Sequence, residues 1–245
     1  MSEAAFVELV TEGQPPAPAY FVHDAMANRV VREIRPLNAQ VPAVDAEALA
    51  AAVAAGAAVL DSRDPVEFSA GHIAGSVNVG FGGRMAETAG MVIEAGRPFV
   101  VVAEAGQEQE TALRMARIGF DGCVGFVPDV EDFLTEHPDL SERSSRLTPS
   151  QMFQAIADST VQLVDIRNIG ELVNGVVPGA THIPLAELPR RLGELDPGKP
   201  VVLHCAGGYR SSVGASWLRT HGFDDVSDVL GGYTGIALAT APATV

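Results

Sequence analysis

A chain of 245 residues, 47% of them hydrophobic, is long enough for two modest domains and can bury a core. A formal net charge of −15, with one tryptophan and three tyrosines, argues against nucleic acid or an anionic membrane as a partner, and the ordinary consequence of that charge is solubility. Two cysteines, Cys123 and Cys205, make no disulfide framework, no apolar run reaches membrane-spanning length and no secretory leader is evident, so a cytoplasmic protein is expected.

Residues 1–40 read as an N-terminal extension and not as the start of a domain. Within them residues 13–21 carry Pro15, Pro16 and Pro18 and read as extended chain, so the ordinary reading is a flexible leader. Residues 48–58 are alanine-rich, and Glu47 and Gly56 bound them as a short helix.

An internal repeat then settles the domain count. Val59-Leu60-Asp61-Ser62-Arg63-Asp64 is echoed by Leu163-Val164-Asp165-Ile166-Arg167-Asn168. Gly75-Ser76-Val77-Asn78-Val79 is echoed by Gly179-Ala180-Thr181-His182-Ile183, and Gly119-Phe120-Asp121 by Gly222-Phe223-Asp224. The shift is about a hundred residues throughout, an ordinary domain size. Each unit alternates strands with helices, which implies an α/β fold with a parallel sheet flanked by helices on both faces. The units are expected at residues 41–134 and 147–238. Residues 129–149 are polar and broken by Pro138, and read as the linker; Thr148 and Pro149 then supply the N-cap and first position of a helix.

The chemistry is concentrated in Val201-Val202-Leu203-His204-Cys205-Ala206-Gly207-Gly208-Tyr209-Arg210-Ser211-Ser212. An apolar β-branched run ends at Cys205, passes through a small-residue loop and enters a helical pattern, and ligands of open α/β sheets bind at such strand ends. Gly207 and Gly208 let the backbone curl so that successive N–H groups converge into an anion-binding nest. Arg210 adds a fixed positive charge, and Ser211 is placed to cap the helix. Such a loop favours an anionic sulfur at Cys205 and stabilises a further sulfur attached to it. A buried core cysteine would explain Cys205 alone, but not the Gly-Gly, arginine and serine behind it.

The first unit differs at this place. Aligning Pro98 with Pro200 sets Ala103, or Val102 if a gap is placed earlier, opposite Cys205, and Glu104, Glu108 and Glu110 replace the arginine with carboxylates. This unit is expected to be catalytically dead, with Cys123 an inert core thiol. Asp165 and Arg167 are read as supporting residues, either orienting the active loop or forming an ion pair that fixes the sheet. Tyr209 is placed at the loop tip and pocket mouth. Strand alternation turns His204 away from the Cys205 side, and Trp217 has the spacing of a core residue. From Ala237 onward the tail is expected to fray. The histidines at 23, 72, 137, 182, 204 and 221 show no metal-ligand spacing.

Cys205-Ala206-Gly207-Gly208-Tyr209-Arg210-Ser211 resembles the active-site loop of the rhodanese sulfurtransferases, Cys-x-x-Gly-x-Arg-Ser/Thr. Asp61-Ser62-Arg63 with Glu67-Phe68 and Gly71-His72-Ile73-Ala74-Gly75-Ser76 resembles that family's first signature, and Gly231-Gly232-Tyr233 its closing one. In the second unit Val176-Val177 stands where Gly-His-Ile is usual, while Glu171 keeps its place. Four residues separate Cys205 from Arg210; protein tyrosine phosphatases put one more there, to hold a tetrahedral phosphate.

The resemblance implies two rhodanese-like domains, a Cys205 persulfide, and Ala206, Gly207, Gly208, Tyr209, Arg210 and Ser211 as the sulfur-binding loop. It implies thiosulfate or glutathione persulfide as donor, and cyanide in vitro, sulfite, glutathione or a protein thiol as acceptor, with no metal or organic cofactor. Phe6-Val7-Glu8-Leu9-Val10 and the Pro-Ala-Tyr-Phe run resemble the C-terminal tail of metallo-β-lactamase-fold persulfide dioxygenases, which sometimes continue into rhodanese domains. That makes such a dioxygenase a candidate partner, although its His-x-His-x-Asp-His metal motif is absent from this chain. A persulfide carrier or sensor serving one partner, and a phosphatase or arsenate-reductase-like activity, are the alternatives.

Overall fold

A computed structural model of the chain describes residues 1–12, 14, 17–30, 40–158 and 161–240. The extension forms two helices, α1 (Glu3–Thr11) and α2 (Tyr20–Ala27). The second corrects the expectation of extended chain at Tyr20 and Phe21; Gly13, Pro15 and Pro16 lie outside the described residues. Tyr20 is buried, edge-on to Phe120 and pressed on Gly90, where an added Cβ would stand 2.4 Å from the Tyr20 ring.

The first unit runs α3 (Ala46–Ala54), β1 (Ala58–Asp61), α4 (Pro65–Ala70), β2 (His72–Ile73), β3 (Ser76–Asn78), α5 (Met85–Val92), β4 (Phe99–Val102), α6 (Glu108–Ala116), β5 (Cys123–Val127) and α7 (Val130–Glu136). The Asp45 side chain caps α3 by accepting from the Ala48 N–H at 2.9 Å, which is why the alanine-rich run starts its helix there. The strands form a parallel sheet in the order β3-β1-β4-β5. Every residue of β1 and β4 is buried, as apolar runs sandwiched between helix layers must be.

The second unit runs β6 (Ser141–Glu142), β7 (Ser145–Leu147), α8 (Pro149–Ala157), β8 (Gln162–Asp165), β9 (Thr181–His182), α9 (Leu188–Arg191), β10 (Val201–His204), α10 (Tyr209–Arg219), β11 (Val226–Val229) and α11 (Gly232–Thr240). Its parallel sheet has the order β7-β11-β10-β8-β9. Thr148 caps α8 in a reciprocal box with Gln151, and Pro149 occupies the first turn, as the sequence predicts.

Two expectations need correction. Residues 129–149 are ordered structure: α7 belongs to the first unit, β6 pairs antiparallel with β2, and β7 is the edge strand beside β11. Short edge strands expose polar side chains and so read as linker in the sequence. The tail is helical through Thr240, because Gly232 and Ile236 bury one side of α11; residues 241–245 lie outside the described residues.

The units share one core, which joins Leu60, Phe99 and Met115 of the first to Leu203, Val213 and Leu218 of the second. Helix α10 is the bridge. Residues 211–218 are all buried, so α10 has no solvent face over two turns and no amphipathic stripe. Its small residues allow this: a Cβ on Gly214 would come 2.9 Å from Leu203, and Ser212 and Ser216 bond Asn78 of β3 at 2.8 and 2.9 Å. Among the described residues no helix is long and apolar enough to cross a membrane.

Candidate active site

The site lies where the chain reverses direction across the second sheet. From β8 it passes to β9 on one side and then to β10 on the other, so the carboxyl ends of β8 and β10 flank a topological switch point. Register pairs His204 with Asp165 in this sheet and Val102 with Asp61 in the first. Ala103 is therefore the counterpart of Cys205, which resolves the choice between Val102 and Ala103.

Cys205 is the first residue past β10, and its side chain is buried. The loop curls as the glycines predict: Gly208 has φ +97, and its N–H donates to Cys205 Sγ at 3.1 Å. This positive φ also starts α10 at Tyr209, so Ser211 falls inside the helix and does not cap it, a correction to its expected role. Its Oγ lies 3.6 Å from Sγ and donates to Asp228 at 3.3 Å. Asp228 is in turn clamped by two Arg146 hydrogen bonds of 2.9 and 3.0 Å. From the other side, the N–H groups of Tyr233 and Thr234 hold the carbonyls of Cys205 and Ala206 at 2.6 and 3.0 Å. Gly232 permits that approach, since a Cβ there would stand 2.5 Å from the Cys205 carbonyl oxygen. Around Gly207 there is open space, with no atom within 4 Å of a built Cβ.

Arg210 has its charge held in place by a carboxylate from another loop. Its guanidinium makes a bidentate pair with Glu171, at 2.6 and 2.7 Å. Hydrogen bonding to Arg210 holds the Glu171 carboxyl below the usual range, and the Asn168 N–H donates to the same group at 2.8 Å. Both residues remain partly exposed, so the pair fixes the guanidinium without sealing it off.

Asp165 and Arg167 form a buried bidentate pair, and Arg167 also donates to the Gly175 carbonyl at 2.8 Å and stacks on the Tyr233 ring. Asp61 and Arg63 repeat the arrangement, with Gly71 as the carbonyl, in the unit without the cysteine. A clamp present in both units supports the sheet-fixing reading of the motif. His204 is buried, 3.7 Å from Asp165, and burial pushes its pKa below the usual value, so it is neutral near pH 7 and supplies no charge to the sulfur. Tyr209 leads α10, and its hydroxyl reaches the Gly80 carbonyl of the first unit at 2.8 Å; burial pushes its pKa up to about 12. Trp217 is buried and stacked on His221, as its spacing predicts. Cys123 is only half-buried, at the start of the strand next to β4, and so is less enclosed than the core thiol expected.

A cavity of about 710 Å³ opens between the units. The second unit lines it with Asn168, Tyr209 and Arg210, and the first with Phe81, Glu67 and Glu104 among others. Sequence reasoning passed over Asp228 and Arg146, and noted Glu171 without assigning it a role. Asp228 carried a signal, an acid set between Val226 and Val229 in a short strand, which requires a partner when buried.

Comparison with known proteins agrees with this geometry. The family model for the rhodanese-like domain matches residues 45–128 and again 148–239. The chain is 34% identical to thiosulfate sulfurtransferase GlpE of Shewanella oneidensis, over 36% of this chain and 87% of that protein. It is 38% identical to uncharacterized protein YqhL of Bacillus subtilis, over 29% of this chain and 57% of that one. It is 33% identical to the putative sulfur carrier protein YrkF of the same organism, over 31% of this chain and 41% of that one. The chain thus spans about half the length of the two Bacillus proteins. The two matched segments coincide with the two parallel-sheet units, and the chain belongs to the rhodanese-like domain family, with two such domains in tandem.

Proposed function

We propose that this protein is a sulfurtransferase that carries sulfane sulfur on Cys205 and takes it from thiosulfate or a low-molecular-weight persulfide. The observation that carries the reading is the 3.1 Å hydrogen bond from the Gly208 N–H to Sγ, made within a loop of four residues between Cys205 and Arg210. The Cys205 thiolate attacks the outer sulfur of the donor. The donor's S–S bond breaks, and sulfite or a thiolate leaves with the electron pair. Charge then rests on the outer sulfur of a Cys205 persulfide, within reach of the loop N–H groups, the N-terminus of the eleven-residue α10, and Arg210. An acceptor thiolate, sulfite or cyanide removes that sulfur, and the two half-reactions give ping-pong kinetics.

The partners in this reading are small donors and acceptors. Support for a persulfide dioxygenase as a partner is confined to the resemblance of the Phe6–Val10 and Pro-Ala-Tyr-Phe stretches. A carrier role, with one bound protein as acceptor, is the second reading, and the similarity to the putative sulfur carrier protein of Bacillus subtilis favours it. The test is thiocyanate formation from thiosulfate and cyanide by the wild type and by Cys205→Ala. The sulfurtransferase reading expects turnover in the first and none in the second. Saturation after one sulfur per chain favours the carrier, and hydrolysis of a chromogenic phosphate ester with no sulfur transfer favours the phosphatase.

A further inference from the structure

We infer that Asp228, clamped by Arg146, is a positioning residue for the sulfur: it holds the hydrogen of the Ser211 hydroxyl, so that only the oxygen of that hydroxyl faces Cys205 and the resting sulfur is kept as a thiol. The inference deepens the sulfur-transfer reading above and rests on it for its purpose. The arrangement begins with strand register. Asp228 of β11 pairs directly with Arg146 of β7, so the two side chains leave the sheet side by side. Arg146 donates to both carboxylate oxygens, at 3.0 and 2.9 Å, and Asp228 is buried. A carboxylate only accepts, so the 3.3 Å contact between Ser211 Oγ and Asp228 Oδ2 takes the hydroxyl hydrogen. The buried Oγ is left with its lone pairs towards Sγ at 3.6 Å, and the S–H is the donor in that contact. The Gly208 N–H donates to the same sulfur at 3.1 Å, and the Arg146 guanidinium also reaches the Gly208 carbonyl at 3.4 Å. The thiol therefore meets one donor and one acceptor, and satisfies both.

A sulfur anion has no hydrogen to give. It faces the Ser211 lone pairs until the hydroxyl swings back, and that swing breaks the bond to Asp228. Asp228 and the sulfur thus compete for one hydrogen. The loop N–H groups and Arg210 favour the anion, and Asp228 opposes them. A neutral sulfur at rest does not repel an anionic donor such as thiosulfate, which is the use of such a brake to a sulfurtransferase. Arg210 faces Cys205 from α10, and Arg219 of the same helix faces Asp228. Among the described residues the other charged or titratable neighbours are the Asp165–Arg167 pair of β8, the neutral His204 of β10 and Tyr233 of α11. All of these stay unchanged in the proteins compared below.

The test is the rate at which iodoacetamide alkylates Cys205 across pH, followed on the Cys205 peptide by mass spectrometry. It compares the wild type, Asp228→Asn and Asp228→Asn/Arg146→Gln. Asparagine offers Ser211 an N–H, which frees the hydroxyl hydrogen for the sulfur. The expected result is a rise of about tenfold at pH 7, the effect of one hydrogen bond to a charged group. The rise should close at the alkaline plateau, where the sulfur is ionised in every protein. The double variant removes one charge of each sign, so the same rise is expected there, and it decides the matter should the single variant not fold. An unchanged rate at pH 7 overturns the proposal. So does a rise of equal size at every pH, which reports access, or a rise confined to the single variant, which reports charge alone. Alkylation uses no sulfur donor, so its outcome is read separately from thiocyanate formation, and a failure of the sulfur-transfer reading is distinguished from a failure of this one.

Discussion

The two units build the same strand-loop-helix turn and use it in opposite ways. In the second unit the N–H of Gly208 is spent on the sulfur of Cys205, and the following arginine is held by Glu171. In the first the corresponding Gly106, also at positive φ, gives its N–H to the Glu108 carboxylate at 3.1 Å, and Glu67, the counterpart of Glu171, faces Glu104 instead of an arginine. A loop amide needs an acceptor in either case. Where the acceptor is a thiol sulfur, the nest is available to a sulfur anion; where it is a carboxylate, the nest is filled by the chain itself. The helices differ accordingly, since α6 buries only Thr111, Ala112 and Met115 whereas α10 is enclosed along two turns. The unit with the loop cysteine is the one whose helix is gripped from both sides.

This contrast can be broken most severely at the sulfur. Cys205→Ala is expected to lower thiocyanate formation by at least about 10³-fold, as loss of a covalent nucleophile does. Ala103→Cys in that background is expected to restore nothing measurable, because its loop amide is occupied and no arginine follows; recovered turnover would show that the first loop is competent. Next is the ion pair. Arg210→Lys is expected to reduce kcat/KM about 10²-fold, since an ammonium cannot make the bidentate contact, and Glu171→Gln about tenfold. Equal rates for all three proteins would remove Arg210 from the account.

The contrast also has a pH signature. The first unit keeps His72 buried against Phe68, and burial lowers its pKa from 6.5 to about 4. The unfolded chain therefore binds the proton more readily across that window, and folding stability present above pH 6.5 is lost as pH falls towards 4. The loss amounts to about 3 kcal/mol. Denaturant unfolding at successive pH values should show this slope in the wild type and a flatter one in His72→Gln. A smaller effect is expected at Gly232, whose φ of +53 and closeness to the Cys205 carbonyl leave no room for a side chain. Gly232→Ala should cost about 2 kcal/mol. Asp129, at the start of α7 in the first unit, holds φ +43 with a side chain, so Asp129→Gly should not destabilise.

Much of the fold and the centre of the site were legible because they are local. The repeat, the strand ends at Asp61 and Asp165, the Thr148–Pro149 helix start and the curl at Gly207–Gly208 are each written in a few consecutive residues. What escaped is non-local. Glu171 meets Arg210 across 39 positions and Arg146 meets Asp228 across 82, and no periodicity links them. The enclosure of α10 was hidden for the same reason, since its partner Asn78 belongs to the other unit. Ser211 was misplaced by a turn because the helix start is set by Gly208's backbone, not by the nearest capping residue.

The central claim is that sulfur rests on Cys205 and nowhere else. Peptide mass spectrometry after treatment with thiosulfate, and in parallel with glutathione persulfide, tests it most directly. The account predicts one added sulfur on the Cys205 peptide, none on the Cys123 peptide, and release of that sulfur on adding cyanide. Sulfur on Cys123, or an unmodified Cys205 with both donors, would contradict it.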